Sequence, residues 1–206
     1  MKLTAYLIVV YLFCGQSLSA QPNLRVVQAQ LLTTYQELLQ DPELHYCCQG
    51  FSVDSLRASS ILESQTENLY HVNNLGDNQA ATAWVEGAKG SGIGEFIRFD
   101  YAYDIAYAQA AEGAFNYKDE WQILNGYQKS LQTWQDNGRI KRLKMYINEV
   151  AFCYINLLDE PGIQTISLGF LDYLEKDKGT IRIKLEIADI YAGDKYMDTA
   201  LSEIIW

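Results

Sequence analysis

Four carboxylates, Asp77, Glu86, Glu95 and Glu203, are the side chains of this sequence whose chemistry could extend to catalysis. Paired carboxylates roughly 5 to 10 Å apart across a cleft hydrolyse glycosidic bonds. Spacing along one chain does not give that distance, and companion chemistry is missing. Only His45 and His71 are present, with no Gly-x-Ser-x-Gly elbow, no His-Glu-x-x-His pair and no cysteine with an evident histidine partner. A glycoside hydrolase is therefore the third reading, behind two non-catalytic ones.

Binding chemistry is better represented. Thr82-Ala-Trp-Val-Glu-Gly87, Gly92-Ile-Gly-Glu95, Asn125-Gly-Tyr127 and Asn137-Gly-Arg139 combine aromatics, amides and charges with glycines that accept positive φ. That is the mix of a recognition site built from loops on a rigid scaffold. Trp84, Tyr127 and Trp134 offer an apolar face with a polar tip, which suits the C–H faces of sugar rings. Glu86, Glu95, Asn125, Lys129, Asn137 and Arg139 are the polar candidates for neighbouring hydroxyls. The alternatives are core packing for the tryptophans, and turn capping or a Glu–Arg ion pair for the polar set. Gly87 to Gly94 carries Lys89 but lacks the Lys-Ser/Thr step into a helix that a phosphate loop needs, so it reads as a hairpin-like turn.

Asp77, Asn78 and Thr82, with the distant Glu203, supply hard oxygens of the kind calcium gathers, six to eight at a time and including backbone carbonyls. The alternative is an Asx turn at Asp77 with Glu203 solvated.

The rest of the chain must position these groups. Residues 1–20, with Lys2, an apolar run from Leu3 to Phe13 and small residues up to Ala20, read as a secretory signal peptide. The run is too short for a membrane span, which needs roughly 20 residues, and no other stretch approaches that length. Removing Met1 to Ala20 takes one of 16 basic residues and none of 26 acidic ones, leaving 15 against 26 and a formal charge of −11. Nucleic acid is then an unfavourable partner, since it demands a concentrated basic surface. The basic cluster Arg139, Lys141, Arg142 and Lys144 reads as a solvated strand face. Cys47, Cys48 and Cys153 allow one bridge with a leftover thiol, or three thiols.

Residues 21–49 read as an N-terminal segment holding an amphipathic helix over Leu24–Gln40, because Val27, Leu31, Tyr35, Leu38 and Leu39 recur at helical spacing; the helix packs on a sheet or presents a face to a protein partner. Residues 50–206 read as the domain proper. Its strands show period-two alternation: Ile97, Phe99, Tyr101, Tyr103, Ile105 and Tyr107; Leu143, Met145 and Ile147; Ile166, Leu168 and Phe170; Ile181, Ile183, Leu185 and Ile187. Strands with one solvated face imply a mostly β, antiparallel sandwich or jelly roll.

Asn73-Asn-Leu-Gly-Asp77, Thr82 to Gly87, Gly92 to Glu95, Asn125-Gly-Tyr-Gln-Lys-Ser130, Asn137-Gly-Arg-Ile-Lys141 and Tyr191-Ala-Gly-Asp-Lys-Tyr-Met-Asp-Thr-Ala-Leu-Ser-Glu203 resemble the NADase-type glycan-binding domain, which is similar to the translocation module of streptococcal NAD glycohydrolase toxins. The resemblance spans roughly Gly50 to Ile205. It implies a discoidin-like, galactose-binding-like jelly roll that binds carbohydrate or a cell surface, with a structural calcium between a loop and the last strand. Where the family loop has an Asp-Gly turn before the threonine, this chain has Leu-Gly-Asp-Asn. The expectation is a non-catalytic, secreted or periplasmic module, with Trp84, Glu86, Glu95, Asn125, Tyr127, Lys129, Asn137 and Arg139 at one end of the sandwich. The runner-up is a structural or protein-interaction domain of the cell envelope.

Overall fold

The structure, a computed structural model, describes residues 23–40, 51–65, 68–103, 120–169 and 180–206, without the side chains of 51, 52 and 103. Residues 1–20, read above as a signal peptide, and Cys47, Cys48, Ile105, Tyr107 and Phe170 lie outside the described residues. The strands are β1 Arg25–Gln28, β2 Gln30–Thr34, β3 Phe51–Ala58, β4 Trp84–Val85, β5 Phe96–Tyr103, β6 Glu120–Asn125, β7 Gly138–Ile147, β8 Val150–Asn156, β9 Gly162–Ser167, β10 Thr180–Tyr191 and β11 Thr199–Ile205. Two six-residue helices, α1 Tyr35–Gln40 and α2 Leu131–Asp136, and a 3-10 turn over Val72–Gly76 complete the described elements.

The strand order is β2-β9-β6-β11-β7-β10-β5-β3, with β4 added on β11, and β8 on β7 carrying β1. Most pairs are antiparallel, but β1 runs parallel to β8, and β11 parallel to β7 over Thr199–Gly138 and Ala200–Arg139. The ladder folds into two facing layers. β5 and β6 stand far apart in strand order, yet Phe99 and Tyr101 of β5 meet Trp121 of β6 at 5.9 and 5.8 Å between ring centroids. Trp206, just past β11, stacks on Phe99 at 4.8 Å and stands edge-on to Trp121. Such contacts are possible only face to face across a sandwich core.

Alternation placed the core strands correctly. Ile97, Phe99 and Tyr101, Leu143 and Met145, and Ile181, Ile183, Leu185 and Ile187 are all buried, with Arg98, Asp100, Lys144, Arg182, Lys184 and Glu186 facing outward between them. Cys153 is a buried thiol on the inner face of β8. Burial pushes it up to about 11, which makes it an inert packing group at neutral pH.

The N-terminal helix is a correction. Residues 25–34 form two strands that cross from one layer to the other, β1 on β8 and β2 on β9, and only Tyr35–Gln40 is helical. Val27, Leu31 and Tyr35 are four residues apart, a spacing that satisfies a helical period and a period of two at once. Ala29 and Thr33, the intervening members of the strand series, are less exposed than their neighbours and reveal the true period. With its inner face spent on the sandwich, this segment offers no helical face to a partner.

Phe99 bridges the layers with zero exposure. Phe99→Ala is expected to cost about 3–5 kcal/mol in denaturant unfolding. A loss under about 1 kcal/mol would show that the aromatic stack does not hold the layers together.

Candidate functional site

All seven residues of β11 are buried, and along its length it takes three different partners. Thr199 and Ala200 pair with Gly138 and Arg139, Ala200 and Leu201 with Val85 and Trp84, and Glu203 to Ile205 with Leu124 to Gln122. Gly126 adds an isolated bridge to Leu201. One strand therefore gathers the 82–95, 125–130 and 137–141 segments at the same end of the sandwich.

Residues of 62–70, 127–137 and 196–198 line a depression of about 280 Å³, and none of 82–95 does. Of the eight candidates, Tyr127, Lys129 and Asn137 line it, together with Leu62, Gln65, Asn68, Tyr70, Thr133, Asp136, Tyr196 and Asp198. Tyr70 and Tyr127 meet edge to face at 6.3 Å and an interplanar angle of 85°. Burial raises both phenols, so their hydroxyls stay protonated as donors. Lys129 Nζ donates to Asn68 Oδ1 at 3.0 Å. Asn137 Nδ2 donates to Thr133 O at 2.8 Å, closing the last turn of α2, whose first turn Ser130 caps by accepting from Thr133 N. Tyr196 and Asp198 fall inside the 191–203 motif without being singled out as site residues, and Asn68 and Tyr70 fall in none of the motifs. The one signal for them is aromatic residues inside otherwise polar loops, Asn68-Leu-Tyr70 and Lys195-Tyr-Met-Asp198.

Four other candidates hold the scaffold from within. Trp84 is buried and its Nε1 donates to Ser60 O at 3.0 Å. Asn125 is fully buried, accepting from Ile140 N at 3.0 Å and donating to Ile140 O at 2.7 Å. Arg139 spends its donors inside: Nε and Nη2 on Asp159 at 3.0 and 3.1 Å, and Nη1 on Asn137 O and Ala192 O at 3.0 Å each. Its guanidinium lies 4.5 Å over the Trp134 ring, whose Nε1 donates to Asn125 O. Glu86 is fully buried, accepting from Ala88 N and Thr199 N. Burial pushes its carboxyl upward. Gly92, at φ +71°, leaves room for that carboxylate, because a Cβ there would stand 2.6 Å from Glu86 Cδ. The glycine run is thus a turn wrapped around a buried acid, the opposite of a phosphate cradle. The remaining candidate, Glu95, is half-buried and accepts from Ser59 and Ser60 hydroxyls at 2.5 Å each.

The structure joins Asp77 to Thr82 and sets Glu203 beside the same loop. Asp77 accepts from Gln79 N and from the Thr82 hydroxyl, Asn78 sits at φ +66°, and Gln79 N also donates to Glu203 Oε2 at 3.3 Å. Glu203 has no exposure, and its Oε1 has no hydrogen-bond partner among the described residues. Burial, with the Asp77 carboxylate nearby, pushes Glu203 up to about 8 against the opposing N–H bonds of Gln79 and Asn78. An orphaned carboxylate oxygen beside a second carboxylate fits an oxygen-seeking cation. No cluster of three His, Cys, Asp or Glu occurs among the described residues, so carbonyls and amides would have to complete the shell.

The family model described as NAD glycohydrolase translocation F5/8 type C domain matches residues 45–206. The CBM32-1 and CBM32-2 domains of Clostridium perfringens ZmpB, in complex with GalNAc, share the fold at 12% identity and a TM-score of 0.50, over 90% of this chain and 40% of that one. The same pair in another structure gives 12%, 0.49, 90% and 42%. Arabinofuranosyltransferase AftD from Mycobacteria gives 16% and 0.45 over 75% of this chain and 11% of that one. This chain therefore spans less than half the length of each of these structures. No curated protein matches it.

Two outcomes follow from the buried groups. A Cβ at Gly126, at φ +80°, would fall 2.6 Å from Arg139 Cγ and 2.7 Å from Trp134 Cδ1, so Gly126→Ala is expected to lower thermal stability by more than the ~1 kcal/mol that an unstrained Gly→Ala gains. An unchanged melting temperature would mean that the arginine–tryptophan stack is not fixed. In metal-free protein, folded Glu203 keeps its proton between its ordinary range, near pH 4, and about 8, where the unfolded chain has lost it. Stability present below that window is lost as pH rises through it. Denaturation midpoints in chelator are expected to fall from about pH 5 to 8, and Glu203→Gln to flatten the slope; parallel slopes would contradict the assignment.

Proposed function

We propose that this chain, which belongs to the NAD glycohydrolase translocation F5/8 type C domain family, is an exported, non-catalytic module whose end depression holds a carbohydrate of a glycan-bearing surface. The observation that carries this reading is the lining of the depression. Three tyrosines, three side-chain amides, a threonine hydroxyl, one lysine and two aspartates face a space of about 280 Å³, apolar ring faces beside forked polar donors and acceptors. The GalNAc held by the structurally similar CBM32 pair is consistent with a sugar ligand. Export is supported by the signal-peptide pattern of residues 1–20. Among the described residues no helix is long and apolar enough to cross a membrane.

A hydrolytic role finds little support, because the carboxylates proposed for it are spent. Glu86 and Glu203 have no exposed surface, Asp77 is engaged by Thr82 and Gln79, and Glu95 by two serines. The internal network of Arg139, Asn125 and Trp134 favours, as the second reading, a structural or protein-interaction domain whose loops hold themselves together. Calcium belongs to the first reading as a structural ion. Glu203 and Asp77, with Asn78 and Thr82, would hold it, and it would neutralise the buried charge and fix the 77–82 loop to β11.

Glycan-array binding separates the readings. Lys129→Ala and Tyr196→Ala, both at exposed positions, are expected to weaken the best glycan at least tenfold, about 1.4 kcal/mol, without changing the melting temperature. Wild-type binding unaltered in both variants would remove the depression as the site, and a blank array would favour the second reading. Calcium at 100 times its Kd is expected to add about 2.7 kcal/mol of stability. A shift that persists in Glu203→Gln would place the ion elsewhere.

A further inference from the structure

The outer face of the layer β3-β5-β10-β7-β8 carries an arrangement that stability alone does not explain. Arg98 of β5 stands directly opposite Arg57 of β3 on one side and Lys184 of β10 on the other. Like charges directly opposite in a sheet destabilise the pair. Lys184 is relieved by Glu186 at 3.1 Å and by the Tyr146 ring at 3.8 Å from its centroid, and Arg182 in the next row bonds Asp100. Arg57 and Arg98 have neither a hydrogen bond nor an ion pair among the described residues. On the adjoining strands Lys144 lies 5.0 Å from the Tyr146 ring centroid, and Arg142 5.6 Å from that of Tyr154. A chain of net charge −10 thus sets three cations in a row across β3, β5 and β10, of which Lys184 lies against aromatic rings, while the next row holds Asp54 opposite Asp100.

We propose that this face is a second binding surface, distinct from the end depression, for a linear acidic polysaccharide bearing carboxylate or sulfate groups. Strands lie about 4.8 Å apart, so the row Arg57–Arg98–Lys184 spans about 10 Å across them. An extended polymer lying across the strands meets successive cations; a compact anion meets one or two. The row itself presents only charged side chains among the described residues, a poor seat for the apolar anchor that a protein partner would bring. The row is made of charged side chains, Arg57, Arg98 and Lys184, with no apolar residue among them to insert, which disfavours a membrane. The polymer neutralises Arg57 and Arg98, which nothing else in the described chain does.

The test is retention of the whole chain on immobilised polygalacturonate and on dextran sulfate, with neutral dextran as control. The expected result is retention on at least one charged polymer, abolished by high salt, and the stronger of the two identifies carboxylate or sulfate as the ligand chemistry. Arg98→Gln, and Arg57→Gln with Arg98→Gln, are expected to weaken it tenfold or more while leaving the melting temperature unchanged or raised, since they relieve a like-charge row. Lys129→Ala is expected to leave it unchanged, which separates this face from the depression. No retention on either polymer, equal retention of the arginine variants, loss with Lys129→Ala, or a lowered melting temperature in Arg98→Gln would overturn the proposal. Tighter binding to phosphatidylserine vesicles or single-stranded DNA than to either polymer would overturn it in favour of a membrane or a nucleic acid.

Discussion

The C-terminal strand is the constraint on which the rest of this molecule depends. Within seven buried residues it takes three partners: a brief parallel pairing with β7, an antiparallel one with β4, then a ladder with β6. The parallel step at Thr199–Gly138 is where the strand order passes from one layer to the other, so it both closes the sandwich and fixes the separation of the loops above it. Thr199 serves that join twice more, donating its N–H to Glu86 and its hydroxyl to Ser91 O. A buried, hydrogen-bonded junction of this kind is high-stakes, because each unmade bond would leave a desolvated polar group.

The polar residues near the depression divide by the job the backbone gives them. Arg139, Asn125 and Glu86 satisfy main-chain groups that the crossing loops leave unpaired, and so they hold shape and have nothing left to offer a ligand. Tyr127 and Asn137 lie two positions from Asn125 and Arg139, and Lys129 four from Asn125, and these three line the open space instead. Residues two apart would share a face in a continuous strand; the difference arises because Tyr127 and Lys129 follow the end of β6, past Gly126 at φ +80°, and Asn137 precedes β7.

This division explains what could be read from the sequence. The core of β5, β7 and β10 was legible because each strand has one wet face, and the period of two is then written in Ile181, Arg182, Ile183, Lys184 and Leu185. The segment from Val27 to Tyr35 misled because its spacing of four fits strand and helix alike, and tertiary pairing with β8 and β9 decided between them. At the site, residue type identified the right loops but not the direction each side chain takes. Asn125 and Tyr127 carry equal promise as residue types, and only the surrounding bonds turn one inward. Asn68, Tyr70, Tyr196 and Asp198 come from segments far apart in sequence that only the folded chain brings together. The cationic row on the outer face was illegible for the same reason: Arg57, Arg98 and Lys184 become neighbours through register alone.

The proposed seat of the ligand is the depression lined by residues of 62–70, 127–137 and 196–198. Hydrogen–deuterium exchange of the whole chain, with and without a saturating glycan identified on an array, tests it most directly. Protection is expected to concentrate in residues 68–70, 127–137 and 195–198. Protection confined to the outer face of β5 and β10, or none at saturation, would contradict it.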